Sequence, residues 1–384
     1  MQQHVFSKLT VPASSLQIGL QVGARALTRA AKRGFAQAGY AVLGGVRVAS
    51  APLAIAWRRR REHALKAMTD LEFNALDRPF WVSAETFAWK RNLEVRLSRG
   101  PNEIAAAQRL RYEVFYEEMS AKPTERMARE RRDFDEFDPL CEHLLVIDHD
   151  CIDPLKDRRG REAPPEAVVG GYRLLTQSVA EKHGGFYSQA EFDIAALIAW
   201  TGPKLKFLEL GRSCVLKSYR GKPTLDLLWQ GIAKYVSLHG VDVMLGCASL
   251  EGTDPDALAL PLSFLHHNFR TPDSWPAAWR VRAVPERHVE MNRLPIDQID
   301  RKAALRSLPP LIKGYIRAGA FIGDGAVIDH QFDTTDVLII FPTGRISERY
   351  GNRFDLGDVS DSQKAATAGM PPSPSSRVAD VVRA

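Results

Sequence analysis

No two cysteines in this chain form a CxxC pair: Cys141, Cys151, Cys214 and Cys247 are scattered over 384 residues. That absence argues against a zinc site or a disulfide framework and suits the buried thiols of a cytosolic protein. Acidic residues are missing from residues 1–61, which carry ten Lys or Arg: Lys8, Arg25, Arg29, Lys32, Arg33, Arg47 and Arg58 to Arg61. The whole chain is at +6, so the other 323 residues sum to −4, and it is the arm, not the body, that seeks an anionic partner. An unbroken apolar run of membrane-spanning length is lacking too, because residues 34–57 are Gly- and Ala-rich and interrupted by Arg47. Sparse aromatic interleaving and the lack of helix-turn-helix or zinc-finger spacing point away from nucleic acid. No internal repeat is visible, and no metal-ligand spacing stands out.

What is present divides into three parts. Residues 1–90 read as a basic, helical, amphipathic arm. Leu16, Leu20, Ala24 and Leu27 form an apolar stripe at helical spacing, and Arg58 to Arg61 form a polybasic cluster suited to anionic lipid. A flexible basic leader or an organellar transit peptide fits the same composition. A signal peptide does not, because the charge run follows the apolar stretch. Residues 93–355 read as one mixed α/β (α+β) domain, elaborated from about residue 285, and residues 357–384, with PPSPSS, as a disordered tail. Within the domain the periodicity predicts strands at 94–98, 143–148, 167–176, 206–216 and 241–248. Helices are expected from a cap at Asn102 to about Met119, at 224–239 and at about 256–267. Residues 148–165 read as a turn-rich insertion, and 307–342 as helix, Gly-rich connection and final strand.

Three constellations carry chemistry. RYEVFYEEM places Arg111 and Phe115 at i, i+4 and leads to RRDFDEFD, with Asp133, Asp135 and Asp138. Grouped carboxylates suit a cationic amine, although a solvated acidic loop paired with Arg131 and Arg132 reads equally well. In LELGRSCVLKSYRGKPT a strand bearing Glu209 and Arg212 runs into a helix start, an anion site that Arg220 and Lys222 would strengthen. In GGYRLL, Arg173 sits mid-strand, where a charge needs a partner; Glu209 is the obvious one, and the pair could be structural or catalytic. Phe207, Leu227, Leu228, Trp229, Leu260 and Phe264 could line an apolar tunnel, although most read as core.

The run from RYEVFYEEM through LELGRSCV resembles acyl-homoserine lactone synthases, and the span from Leu93 to about Asn268 resembles the GNAT-like acyltransferase fold. LGRSCV, YRGKPTLDLLWQGIAKYV, LGCASLEGTDP, LPPLIKGYIRAGAFIGDGAVID and FDTTDV together resemble the bacterial ornithine-lipid N-acyltransferases more closely. That resemblance implies a mixed central sheet flanked by helices and an acyl carrier protein dependent L-ornithine Nα-acyltransferase. The donor's 4'-phosphopantetheine enters as part of the substrate, no cofactor is bound, and the enzyme is peripheral on the inner face of the cytoplasmic membrane. It further implies Glu209 as general base, Arg212 and Arg173 orienting it or the substrate carboxylate, and Asp133, Asp135 and Asp138 with Arg111 and Phe115 around ornithine. Arg220, Gly221, Lys222 and Thr224 would hold the phosphopantetheine phosphate, and Arg126, Arg129, Arg131 and Arg132 would meet the acidic carrier. Acylation of another amino acid such as glycine, an acyl-homoserine lactone synthase, and a membrane-binding scaffold with a degenerate fold are the alternatives.

Overall fold

The computed structural model describes residues 86–152 and 162–343. The expected arm helix and the 357–384 tail lie outside the described residues. Strands β1 (Thr86–Lys90), β2 (Leu93–Leu97), β3 (Glu142–Asp148), β4 (Val168–Thr176), β5 (Phe207–Val215), β6 (Val243–Glu251), β7 (His288–Val289), β8 (Phe321–Asp329) and β9 (Thr334–Pro342) make one mixed sheet. Its order is β1-β2-β3-β4-β5-β6-β9-β8-β7. Two expectations are corrected here. Thr86–Lys90, assigned to the arm from its place in the chain, is the edge strand and pairs antiparallel with β2. The expected Gly-rich connection is β8 itself, in which Gly325 at φ 91° takes up a bulge between Ile322 and Ala326.

Helices flank the sheet: α1 (Pro101–Tyr112), α2 (Glu125–Glu130), α3 (Gln177–Ala180), α4 (Ile194–Thr201), α5 (Lys222–His239), α6 (Ala259–Phe269), α7 (Arg301–Ser307) and α8 (Pro310–Ala318). The N-cap of α1 is Gly100, not Asn102; Pro101 supplies the preset φ of the first turn, and Asn102 bonds Glu162. Beyond Tyr112 the expected helix widens into a π-helical segment, Glu113–Glu118, in which Met119 N–H reaches Val114 O at 3.1 Å. On one face α5 buries Leu227, Leu228, Ile232, Tyr235 and Val236, at helical spacing, over Val95 and Leu144. Gly231 allows the close approach, since a Cβ there would meet Val95 Cγ2 at 2.8 Å. The opposite face carries two apolar clusters, one built with α1 and one around Phe192, Trp275 and Trp279.

The sheet is antiparallel except at β5 and β6, which the crossover helix α5 joins in parallel. That pairing lasts only from Phe207↔Val243 to Glu209↔Leu245, and then the two strands part. Gly246 follows the last pair at φ 156°, so close to β5 that a Cβ would lie 2.2 Å from Leu210 O. On β5, Arg212 turns the strand with a left-handed φ of 49°. The 307–342 unit completes this region: β9 pairs along all of β6, from Val243↔Pro342 to Glu251↔Thr334.

Candidate active site

Six of the expected charged residues converge on one face of the sheet. Arg111 Nε meets Asp133 Oδ2 at 2.6 Å, and its Nη2 donates to Asp138 Oδ1 at 2.7 Å and to Asp133 O at 2.7 Å. Arg173 Nη1 donates to Asp135 Oδ1 at 2.6 Å, and Arg212 Nη2 to Asp135 Oδ2 at 3.2 Å. Burial alone would push the Asp133 and Asp135 carboxyls up, but the surrounding guanidiniums outweigh it and hold both below the usual range. The three aspartates thus neutralise three arginines and are not free to bind an amine. Aromatic faces complete the packing: Arg212 lies 5.1 Å from the Tyr187 ring centroid and 4.8 Å from that of Phe332. Phe115 packs edge-on against Phe332 at 5.6 Å, so it supports this network.

The expected Arg173–Glu209 pair is replaced by Arg173–Asp135. Glu209, 4% exposed, instead accepts from Tyr187 N–H at 2.8 Å, Ser188 N–H at 2.8 Å and Ser188 Oγ at 2.5 Å. Burial raises its pKa and these donors oppose the rise. Cys247, on β6, donates to Ser188 Oγ at 3.4 Å and to Glu191 Oε2 at 3.2 Å. Arg287 Nη1 lies 3.1 Å from Glu191 Oε1. Donor atoms of Glu191, Cys247 and Asp336 lie within 4.8 Å of one another. Burial and the nearby carboxylates raise the Cys247 thiol well above its ordinary value, in keeping with the hydrogen bonds it donates here. Cys214 is buried against α1 with its thiol pushed up to about 12, which argues against a covalent route through it.

The expected phosphate loop has the right backbone but engaged side chains. Gly221 is the N-cap of α5, and Lys222 and Thr224 open its first turn. Thr224 is 2% exposed, so its hydroxyl does not face solvent. Arg220 grips Glu118 through both terminal nitrogens, at 2.5 and 2.6 Å, and donates from Nε to Val215 O at 3.0 Å.

A cavity occupies the fork between β5 and β6, lined by Leu210, Met244, Leu245, Gly246, Cys247, Tyr315, Ile339 and Phe341. It joins two chemically different faces. Leu210, Met244, Tyr315, Ile339 and Phe341 belong to the apolar core under α5 and α8, whereas Cys247 bonds the Ser188–Glu209 group. Of the expected tunnel residues none lines it; Trp229 stands behind, 5.2 Å from Tyr315, and Phe207, Leu227, Leu228, Leu260 and Phe264 pack in the two main cores.

Residues 110–230 match the acetyltransferase (GNAT) domain model. An L-ornithine N(alpha)-acyltransferase of Rhizobium meliloti (strain 1021) is 50% identical over 263 residues, 68% of this chain and 84% of that one. Enzymes of the same name from Brucella abortus (strain 2308) and Agrobacterium fabrum are 51% and 48% identical, over 67% of this chain and 87% and 83% of theirs. The chain belongs to the L-ornithine N(alpha)-acyltransferase family. It is an N-acyltransferase with a GNAT domain. Among solved structures, the N-acyl amino acid synthase FeeM from uncultured soil microbes is 12% identical, with a TM-score of 0.37, over 68% of this chain and 93% of its own.

Sequence reasoning missed four residues gathered around Glu209 and Cys247: Tyr187, Ser188, Glu191 and Asp336. Tyr187 and Ser188 lie in a short turn, Tyr187–Ala190, that no periodicity marks. Asp336 lies within FDTTDV, a run singled out only as part of the family resemblance. Burial, with Glu191 close by, pushes its carboxyl up to about 7.

Proposed function

We propose that this enzyme transfers a fatty acyl group from the phosphopantetheine thioester of acyl carrier protein to the α-amine of L-ornithine, giving lyso-ornithine lipid. The observation that carries the reading is the fork where β5 and β6 part, with the hydrogen-bonded Glu209 carboxylate on one side and the apolar core under α5 on the other. The α-amine nitrogen attacks the thioester carbonyl, the C–S bond breaks, and the thiolate leaves with a proton. Ser188 Oγ, bonded to Glu209, is placed to accept the amine's proton as its own passes to Glu209. Arg212 Nε is buried without a hydrogen-bond partner, 3.4 Å from Asp133 Oδ2, and offers a donor to the ornithine carboxylate.

The amides of Lys222 and Thr224 at the start of α5 receive the phosphopantetheine phosphate, joined by Arg220 once Glu118 yields it. Arg126 and Arg129 on α2, with Arg131, are exposed and face the acidic carrier. No described helix is long and apolar enough to cross a membrane. The basic arm adsorbs the enzyme to the anionic inner face of the cytoplasmic membrane, where its amphiphilic product belongs.

Mass spectrometry of products from purified enzyme, 3-hydroxyacyl carrier protein and a mixture of ornithine, lysine, glycine and S-adenosylmethionine tests the reaction. N-acyl-ornithine alone is expected; acyl-glycine or a homoserine lactone would move the assignment, and no product would favour a scaffold. Deleting residues 1–61 should release the protein from anionic vesicles, and unchanged binding would end the anchoring role.

A further inference from the structure

A surface helix ordinarily turns polar side chains to water, and α4 does not. Its sequence, IAALIAWT, holds no charged residue. Ile194 and Leu197 point inward, into the core around Phe192, Trp275 and Trp279. Ala195, Ala196, Ala199 and Trp200 face out, and Trp200 is 55% exposed. The turn Ala277–Trp279 packs alongside and adds the exposed Pro276 and Ala277, while Pro203 extends the patch beyond the helix end. An indole left in water forfeits a large gain on burial, so a continuous apolar face built around one marks a contact surface.

The rim of this face is cationic. Lys204 is exposed just beyond Trp200. At the other end stands Arg282, 72% exposed, whose carbonyl accepts from Asp193 N–H at 2.8 Å. Arg270 and Arg280 share the single carboxylate of Asp273, each at 3.4 Å, and Arg282 Nε lies 3.3 Å from Asp324 Oδ2. These four cations meet three carboxylates, Asp193, Asp273 and Asp324, which leaves one positive charge in excess. A tryptophan at the end of an uncharged helix, flanked by Lys and Arg, matches the boundary between anionic headgroups and acyl chains.

We infer that the outer face of α4, with Trp200 as its anchor, seats the acyltransferase domain on an anionic lipid bilayer. The inference rests on the proposed membrane location and extends it from the arm to the domain itself. Only Glu191, Phe192 and Asp193 separate α4 from the Tyr187–Ala190 turn, against which it packs and which supplies all three donors to Glu209. An acyl-ornithine formed beside that turn is released next to the bilayer that takes it up.

The test mixes full-length enzyme with vesicles of phosphatidylglycerol and a phosphatidylcholine brominated in its acyl chains, which quenches any indole that enters them. Trp200→Phe should still sediment with the vesicles but lose part of the wild-type quenching, so that the difference reads Trp200 alone. Ala196→Glu, at an exposed position, should lower vesicle binding at least about fivefold, the effect of one repelled charge at an anionic surface. Its acyl transfer in vesicle-free buffer should match wild type. Equal quenching in wild type and Trp200→Phe overturns the seating of α4 and leaves the arm as the anchor. Wild-type enzyme that binds no vesicles overturns the membrane location and this inference together. A raised KM for acyl carrier protein in Ala196→Glu without vesicles gives the face to the carrier and overturns the bilayer as its occupant.

Discussion

The Ser188 hydroxyl donates to Glu209 Oε1 at 2.5 Å while accepting from Cys247 Sγ at 3.4 Å, so one small side chain links a buried carboxylate to the mouth of the fork. Two backbone N–H groups complete the Glu209 shell, and all three donors come from the Tyr187–Ser188 turn.

Ser188→Ala should therefore lower kcat by about two orders of magnitude with little change in KM for ornithine, as expected when a proton path is cut and binding groups remain. Glu209→Gln should lower kcat at least as far, and should also cost ~1–3 kcal/mol of stability, because an amide nitrogen then faces a backbone N–H. Steady-state kinetics with thermal melts separates the two variants; equal melts for Glu209→Gln and wild type would contradict the hydrogen-bond assignment.

The buried ion network is a stability element with a removable partner. Arg173→Met leaves Asp135 with Arg212 alone and should cost ~3–5 kcal/mol in urea unfolding. Replacing both partners, Arg173→Met with Asp135→Leu, should recover much of that loss, because no uncompensated charge remains. A double variant less stable than the sum of the single ones would refute a dominant pairing between them.

Much of this network is legible in the sequence, but its pairing is not. A mid-strand arginine announces that Arg173 needs an anion, and in the sequence Glu209, on a neighbouring strand, is the obvious one. The choice is made in three dimensions, where the loop after α2 brings Asp135 to Arg173 while the Tyr187–Ser188 turn satisfies Glu209. Ser188, Glu191 and Asp336 carry no local signal at all, since a polar residue in a turn or at a strand end is ordinary until the fold buries it. β8 hid behind Gly323 and Gly325, which read as loop residues and in fact accommodate a bulge and a close strand contact. The central strands and α5 were readable because their apolar periodicity is decided by burial on known faces.

Asp336 gives a pH signature of definite sign. Its carboxyl is raised in the folded protein to about 7, so between its unfolded value near 3.8 and about 7 the native state binds more protons than the unfolded state. Stability contributed by this group is thus present at low pH and lost as pH rises through 7, by up to ~1.4 kcal/mol per pH unit across that interval. Asp336→Asn should remove the penalty, so that its stability relative to wild type improves from about pH 4 to about pH 7 and then levels off in urea unfolding. A difference that stays flat over that range would show that Asp336 titrates elsewhere.

Glu118 and Arg220 make the last prediction, which concerns the donor. Their bidentate pair is partly exposed and ties the π-helical segment after α1 to the loop that opens α5. A phosphate arriving at α5 competes with Glu118 for the same guanidinium, so the carboxylate acts against donor binding by occupying Arg220. Glu118→Gln weakens the pair without changing its shape and should lower KM for acyl carrier protein several-fold while leaving KM for ornithine unchanged. Arg220→Ala should raise KM for the donor, and combining the two substitutions should give no gain over Arg220→Ala alone, because the benefit of removing Glu118 passes through Arg220. A Glu118→Gln enzyme that improves donor binding even without Arg220 would place the phosphate elsewhere, on the α5 amides without help from this arginine.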